Sequence, residues 1–180
     1  MAVRSAQVSV SGATPQFSIR AKGFTLVELM TTVAVLLITI TVAVPSFRSI
    51  IQNTRSTALV NELSSAMNLG RSEAIKRGRE ARVCPRNNAG SACSGDNDWT
   101  VGWLVQSEGN VVRVWDAPPA GAVIVAPANP ADGIIRFNGL GGTEDAGVWE
   151  SRFVGCSGEQ SRQMNIGATG RISVRRVDCP

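Results

Sequence analysis

The sequence predicts an α+β protein in which one long N-terminal helix packs on a small antiparallel β-sheet head. Residues 24–44 form a mostly apolar run that is long enough for a helix of about 31 Å. Residues 45–78 follow with an amphipathic pattern, and residues 79–180 contain short segments rich in β-branched and aromatic residues between turn residues. Because the helix precedes all the strands, we expect the sheet to wrap around the apolar stripe of the helix.

The positive charge of the chain is concentrated in its first 23 residues. The 180 residues include 18 basic and 14 acidic side chains, a net charge of +4. Residues 1–23 contain Arg4, Arg20 and Lys22 and no acid, so their removal leaves 15 basic against 14 acidic residues, a net charge of +1. A nearly neutral chain gives no general reason to expect a nucleic-acid partner.

The apolar run at 24–44 predicts a transmembrane helix, with the domain that follows it in the periplasm. Glu28 lies in its first turns, where a carboxylate is costly without a partner, so this residue is a functional candidate. A cut between Gly23 and Phe24 would create an α-ammonium one helical turn from Glu28. The two charges could then neutralise each other, within one subunit or between packed neighbours.

Two simpler interpretations of the apolar run fit the residues less well. An ordinary signal peptide has a shorter apolar region and a small-residue cleavage site, which Ala43–Val44–Pro45 resembles only weakly. A plain single-pass anchor has no need of an acid in its first turns.

The heptapeptide at 22–28 reads Lys-Gly-Phe-Thr-Leu-Val-Glu. It resembles the prepilin signal of type IV pilins and of the pseudopilins of type II secretion. The resemblance implies that residues 1–23 are a leader removed by prepilin peptidase, that Phe24 is N-methylated, and that Glu28 docks subunits into a filament. Pro45 matches the position where such pilins often carry a helix-kinking proline. The leader is longer than many in the family.

The stem over 45–78 is predicted to be a helix with one apolar stripe, whose members fall mostly four residues apart: Phe47, Ile51, Leu59, Leu63, Met67, Gly70 and Ala74. Pro45 is expected to bend this helix, and Gly78 to end it after about Arg77. Residues 69–77 resemble the end of the stem helix in the GspH/FimT group of minor pilins and pseudopilins. Within them, Arg71 and Glu73 are expected to form a solvated face or a helix-end salt bridge.

The head is predicted to contain eight short strands: Glu80–Cys84, Trp99–Val105, Val111–Asp116, Val123–Val125, Ile134–Phe137, Arg152–Cys156, Gln163–Ile166 and Arg171–Val174. The sequence Ser-Glu-Gly-Asn at 107–110 predicts a hairpin turn. Residues 134–142 resemble a strand and turn of the GspH/FimT head.

The four cysteines predict disulfides in an exported head. A zinc site of four cysteines is the alternative. Three connectivities are possible for two disulfides. We expect the two sequence-local pairs, Cys84 with Cys93 in a loop and Cys156 with Cys179 at the C-terminus.

The sequence shows no catalytic constellation and predicts no cofactor and no metal. It contains no histidine, the commonest general base and metal ligand. Glu144, Asp145 and Glu150 cluster in one predicted loop, where solvated turn acids are expected rather than a catalytic pair.

A basic cluster near the C-terminus contains Arg171, Arg175 and Arg176. Exposed arginines can grip phosphates with two hydrogen bonds. The Gly170–Arg171 pair is similar to the Gly-Arg motif through which FimT-type minor pilins of naturally competent bacteria are thought to bind DNA, although Ser173 stands where a second arginine would be expected. The alternative is an edge strand that is protected by charge.

The sequence therefore predicts a non-catalytic minor type IV pilin of the GspH/FimT family, a subunit of pilus assembly or of the filament tip. One alternative is the matching minor pseudopilin of type II secretion, and a further one is a DNA-binding subunit for natural transformation. The expected partners are other pilins or pseudopilins, prepilin peptidase, the inner membrane and DNA. The expected location is the inner membrane, and the pilus or pseudopilus after assembly.

Overall fold

A computed structural model describes residues 23–180, apart from the side chains of residues 42, 45 and 46. The predicted leader thus lies outside the described residues, except for Gly23. The described chain divides into two compact units, one that ends at Val42 and one over Ala43–Pro180. The helix α1 runs over Leu26–Arg77. No helix in residues 23–180 combines the length and the apolar character needed to cross a membrane, so the structure does not confirm the transmembrane helix predicted over 24–44.

Helix α1 ends as the sequence predicts. Gly78 adopts a left-handed conformation with φ of 62°. Its backbone N–H donates to the Ile75 carbonyl at 3.3 Å, and the Arg79 N–H donates to the Ala74 carbonyl at 3.2 Å. These two bonds form a Schellman motif, which satisfies carbonyls that the helix leaves open at its end. The kink expected at Pro45 stays a prediction.

The head contains two four-stranded antiparallel sheets rather than the one small sheet that we expected. The first has the order β3-β2-β1-β5 and the second β4-β6-β7-β8. The strands are β1 Ala81–Pro85, β2 Trp103–Ser107, β3 Asn110–Trp115, β4 Ala122–Val125, β5 Ile135–Phe137, β6 Gly147–Phe153, β7 Ser161–Ile166 and β8 Ile172–Val177.

The predicted hairpin joins β2 and β3. Ser107 pairs with Asn110, and between them Glu108 and Gly109 both have positive φ, at 52° and 80°. Positive φ at both central residues is the type I′ geometry that suits the twist of a hairpin. Arg79, just past the helix, places its Nε 3.1 Å from the Glu108 carboxylate, so this turn also holds the end of the stem.

The predicted strand bounds differ from the observed ones most strongly at two strands. Trp99–Val101 forms a 3-10 turn capped by Asp98, and β2 begins only at Trp103. The sixth strand was predicted at 152–156, but β6 covers Gly147–Phe153. Its alternate positions are buried, and one of them is Ser151, so a polar residue on the core side concealed the period of two.

The core lies between the stem and the two sheets. Leu59, Leu63 and Met67 are buried in it, as the stripe predicts. The N-terminal part of that stripe was wrong, because Phe47 and Ile51 are 66% and 47% exposed. Ala74 of the stripe is buried as well, and other side chains complete the core: Val60, Ala66, Ala81, Val83, Trp99, Trp103, Val105, Ile135, Phe137, Trp149, Phe153, Met164 and Ile166.

Gly70 allows the stem to approach the first sheet closely. A Cβ at this position would lie 2.4 Å from Cγ2 of Val83 in β1, which is far inside van der Waals contact. A glycine costs helix stability of roughly 1 kcal/mol relative to alanine. Gly70 of the predicted stripe therefore serves the fold by lacking a side chain, which lets the stem pack closely on β1, and not by making apolar contacts of its own.

Arg162 ties the stem to the second sheet. Its side chain is only 3% exposed, and its guanidinium donates to the backbone carbonyls of Glu159 and Ser161, both at 2.9 Å. It also donates to the Asn53 side-chain oxygen and to the Thr57 hydroxyl of the stem. Burial lowers the pKa of Arg162 from its ordinary value, and neighbouring Arg176 lowers it further. Hydrogen bonds to neutral acceptors thus satisfy this buried cation.

Both expected disulfides form. Cys84 in β1 pairs with Cys93, with 5.6 Å between their Cα atoms, and Cys156 pairs with Cys179 at 6.1 Å. The first closes the loop after β1, and the second fastens the C-terminus to the segment after β6. These two disulfides use all four cysteines of the chain.

Candidate functional site

The N-terminal end of the helix carries the predicted cleavage and docking residues. Gly23 and Phe24 are both exposed, as a protease substrate requires. The Glu28 carboxylate accepts from the backbone N–H of Thr25 at 3.2 Å and from its hydroxyl at 3.1 Å. The Glu28 N–H donates back to the Thr25 hydroxyl at 3.2 Å. These reciprocal bonds form a capping box, in which Thr25 is the N-cap residue directly before the helix.

The capping box places the Glu28 carboxylate beside the first residues of the predicted mature chain. Its partner Thr25 directly follows Phe24, whose amine a cut after Gly23 would expose. The negative charge also lies at the positive end of the helix dipole, which favours it. Sequence reasoning missed the role of Thr25, although the Thr-x-x-Glu pattern was visible.

The described side chains of residues 26–41 are all exposed in the single chain. They include large apolar residues at most positions and one carboxylate, Glu28. A soluble surface rarely presents so large a contiguous apolar area without a partner. We therefore expect another molecule to cover the apolar side chains of residues 26–41.

The C-terminal arginines lie on or beside β8, an edge strand of the second sheet. Arg175 pairs across the strands with Gln163, and Arg176 pairs with Arg162. Adjacent residues of a strand point to opposite faces, so Arg175 and Arg176 do not share one surface. The Arg175 Nε donates to the Gln163 side-chain oxygen at 2.6 Å. Arg171 precedes the strand and is exposed.

The Gly-Arg pair at 170–171 has a packing role that sequence reasoning missed. Gly170 has a φ of 72°, and a Cβ on it would lie 1.9 Å from the Gly141 carbonyl oxygen. The same Cβ would lie 3.0 Å from the Nε of Arg71, which donates to that carbonyl at 3.1 Å. The turn before β8, the turn after β5 and the stem therefore meet at Gly170.

Glu73 and Arg71 do not pair with each other. Glu73 is almost buried and accepts from the Arg77 Nε at 2.9 Å, with the Lys76 ammonium 3.8 Å away. The hydrogen bond from Arg77 holds the pKa of the Glu73 carboxyl below its usual value. Glu73 thus forms a salt bridge at the end of the helix, as the sequence predicted. Its main partner is Arg77 and not Arg71.

The three acids of the predicted loop do not share one loop in the structure, because Glu150 lies within a strand while Glu144 and Asp145 precede it. Asp145 accepts from the Arg136 backbone N–H at 2.8 Å. Glu150 lies within β6 and pairs with Arg152 at 2.8 Å. Asp145 and Glu150 therefore each bind a neighbouring arginine within the head. Within residues 23–180, no group of three or more histidine, cysteine or acidic side chains is arranged to hold a metal ion.

These features define a class of protein: a pilin-like subunit with an N-terminal processing motif, a long helix and a β-rich head. A family model described as the prokaryotic N-terminal methylation motif matches residues 19–44. A second model, described as Type II transport protein GspH, matches residues 59–170. The second match covers more than half of the sequence, so the chain belongs to the GspH family.

Solved structures show the same fold. Two crystal forms of the type IV minor pilin FimU from Pseudomonas aeruginosa (strain PAO1) align with TM-scores of 0.52 and 0.51. The sequence identities are 19% and 18%, and the alignments cover 68% and 66% of this chain and 89% and 91% of the FimU chains. A comparison with curated proteins finds no match. The predicted fold class and family are confirmed.

Family membership and the methylation motif together make the chain a pilin-like protein of the GspH family. The methylation motif implies processing by prepilin peptidase and membrane-anchored assembly with other pilins.

Proposed function

We propose that the chain is a non-catalytic minor type IV pilin whose N-terminal segment enters a filament and whose head sits at or near the tip. The exposed apolar surface of residues 26–41, with Glu28 as its single acid, supports this proposal most directly. Packing that surface against the same segment of other subunits would bury it. The α-ammonium of Phe24 would then supply the positive charge that a buried Glu28 needs.

The same proposal gives the sites their roles and the chain its location. Prepilin peptidase cuts after Gly23, and Phe24 becomes the methylated first residue. The precursor resides in the inner membrane with residues 79–180 in the periplasm. Glu28 docks the subunit, and a bend at Pro45 lets the stem follow the filament. The minor pseudopilin of type II secretion is the second candidate, supported by the description of the matching family model.

We expect the chain purified from its cells to begin with N-methylphenylalanine at position 24 and to be present in sheared pili. Intact-mass spectrometry of the N-terminus and of the pilus fraction measures both. Deletion of the gene is expected to reduce surface pili and leave protein secretion unchanged. A secretion defect with normal pili would instead identify the pseudopilin. An unprocessed N-terminus would contradict both.

DNA binding is a further candidate function, supported by the exposure of Arg171, Arg175 and Arg176. None of the three forms an ion pair within the described chain. Because Arg175 and Arg176 point to opposite faces, one duplex is expected to contact Arg171 and Arg175 together rather than all three.

If the head binds DNA, gel-shift affinity should fall steeply with salt and should weaken when Arg171 and Arg175 are both replaced by alanine. The slope of log affinity against log salt is expected to flatten by about 0.9 for each lost phosphate contact. Arg113→Ala is the matched control, because this arginine stacks on the Trp115 ring of the other sheet, 4.6 Å from its centroid. Absence of binding at low salt would exclude the DNA function.

A further inference from the structure

A groove of about 460 Å³ lies between the start of the stem and the segment that joins β6 to β7. Its volume falls within the range of about 300–1,000 Å³ that is typical of small-molecule sites. The described residues that line it all belong to the unit over Ala43–Pro180: Val44, Arg48, Ser49, Gln52, Gly155, Ser157 and Gln160. None of these lining residues is acidic, and the charged one is an arginine. We call this site the Arg48 groove.

Gln160 is a buried hydrogen-bond donor at the groove. Its side chain is only 9% exposed, and its oxygen accepts from the Ser157 backbone N–H at 3.1 Å. Because that bond holds the oxygen, the NH₂ group is the free end of the carboxamide. No acceptor for this group lies among the described residues, and its nitrogen is not sealed from solvent. A buried amide with unused donors beside an open groove indicates that an acceptor binds there.

Arg48 supplies positive charge at the same place. Its side chain is exposed and forms no ion pair with any described residue. The hydroxyls of Ser49 and Ser157 add two further donors to the lining. Gln52 has a structural role instead, because its Nε2 donates to the Val154 carbonyl at 3.3 Å and its oxygen is buried. Guanidinium, hydroxyl and amide donors without a carboxylate are groups that bind phosphate.

Apolar side chains accompany these donors. Val44 lines the groove and is the last residue of the apolar run at 24–44. Phe47 of the stem is 66% exposed, and Val154 beside Gln52 is 71% exposed. Arg48 follows Val44 by four residues, a rise of about 6 Å along a helix. If residues 24–44 span a bilayer, Arg48 lies at the level of the lipid phosphates, since each headgroup layer extends about 5–7 Å beyond the hydrocarbon core.

We propose that the Arg48 groove binds the phosphate group of a membrane phospholipid in the periplasmic leaflet. The proposal rests on the proposed function of the chain, because it requires residues 24–44 to lie in the inner membrane. Arg48 pairs with the phosphate oxygens, and the Gln160 NH₂ group donates to them. Val44 contacts the apolar part of the lipid. A soluble phosphate or a DNA backbone would gain nothing from the exposed apolar side chains, so the combination favours a lipid.

The test measures lipid binding by native mass spectrometry of the full chain, purified in detergent and depleted of lipid. We expect phosphatidylglycerol to bind at least about 10-fold more tightly than a diacylglycerol with the same acyl chains, which lacks the phosphate. Glycerol phosphate, which has the phosphate without the acyl chains, should bind at least about 10-fold more weakly than phosphatidylglycerol. A short DNA duplex serves as the probe for a nucleic-acid backbone and should not compete with the lipid.

Two variants locate the binding. Arg48→Ala should weaken phosphatidylglycerol binding about 10- to 100-fold, and should leave the unfolding midpoint unchanged because the side chain is exposed. Arg55→Ala is the matched control, because this arginine is exposed on the same helix and does not line the groove. Gln160→Glu keeps an acceptor for the Ser157 N–H and replaces the free donors with a negative charge. It should therefore also abolish the preference for phosphatidylglycerol over diacylglycerol.

The proposal is overturned if phosphatidylglycerol and diacylglycerol bind equally, or if Arg48→Ala and Arg55→Ala weaken binding to the same extent. It is also overturned if glycerol phosphate binds as tightly as the lipid, which would identify a site for a soluble anion, or if the DNA duplex displaces the lipid. None of these measurements requires a filament. Absence of the chain from sheared pili is therefore scored separately and counts against the proposed function alone.

Discussion

Glu28→Ala is expected to be cleaved and methylated normally and to be lost from filaments. In the filament the carboxylate would pair with the α-ammonium of Phe24 in a surrounding of apolar side chains. Removing one partner of a buried ion pair leaves the other charge uncompensated, which costs about 3–5 kcal/mol. That cost corresponds to a loss of incorporation of more than about 100-fold. Quantitative immunoblotting of sheared filaments against the membrane fraction measures it.

The capping box offers a second explanation of such a defect, and two matched variants separate the explanations. Thr25→Ala removes the cap, whose loss costs about 1 kcal/mol, and leaves the Glu28 charge in place. Glu28→Gln keeps a side chain that suits a capping box and removes the charge. If the ion pair governs docking, Glu28→Gln should fail like Glu28→Ala and Thr25→Ala should assemble. Equal assembly of wild type and Glu28→Gln would refute the docking role.

Gly170→Ala is expected to destabilise the head severely. An alanine at φ of 72° costs about 1–2 kcal/mol in a left-handed conformation. Its Cβ would also collide with the Gly141 carbonyl at 1.9 Å, and that oxygen is held by Arg71. Forcing the turns apart adds a further penalty of about 1–3 kcal/mol. Urea unfolding of residues 43–180, followed through the buried tryptophans Trp99, Trp103 and Trp149, measures the loss.

Gly158→Ala is the control for the backbone cost alone. Gly158 has a φ of 55°, and a Cβ on it would meet no atom within 4 Å. The control should therefore lose only about 1–2 kcal/mol. If both variants unfold at the same urea concentration, the close approach of the two turns does not contribute to stability. A greater loss of stability in Gly170→Ala than in Gly158→Ala would also show that the glycine of the Gly-Arg motif is needed for packing of the head, independently of DNA binding.

Local patterns predicted many of the elements. The stem's apolar positions from Leu59 onward repeat along one face, and a single glycine ends the helix. Gly109 has the conformational freedom that the second central position of a type I′ turn demands, and Glu108 before it adopts a positive φ that is uncommon for a residue other than glycine. Each of these signals depends on residues close together in the sequence, so it predicts the same local structure whatever the rest of the chain contributes. The predictions failed where tertiary packing overrode the pattern, as at Ser151 on the core side of β6 and at Phe47, which the head does not cover.

The sequence by itself determined the processing motif at 22–28, the amphipathic stem and the division into a helix followed by strands. These depend on composition and short-range periodicity. Only the tertiary structure decided that Gly170 meets Gly141 beside Arg71 and that Arg162 reaches Asn53 and Thr57 of the stem. Such contacts join positions tens of residues apart, and side-chain packing across the stem and two sheets brings them together, which no short segment of sequence encodes.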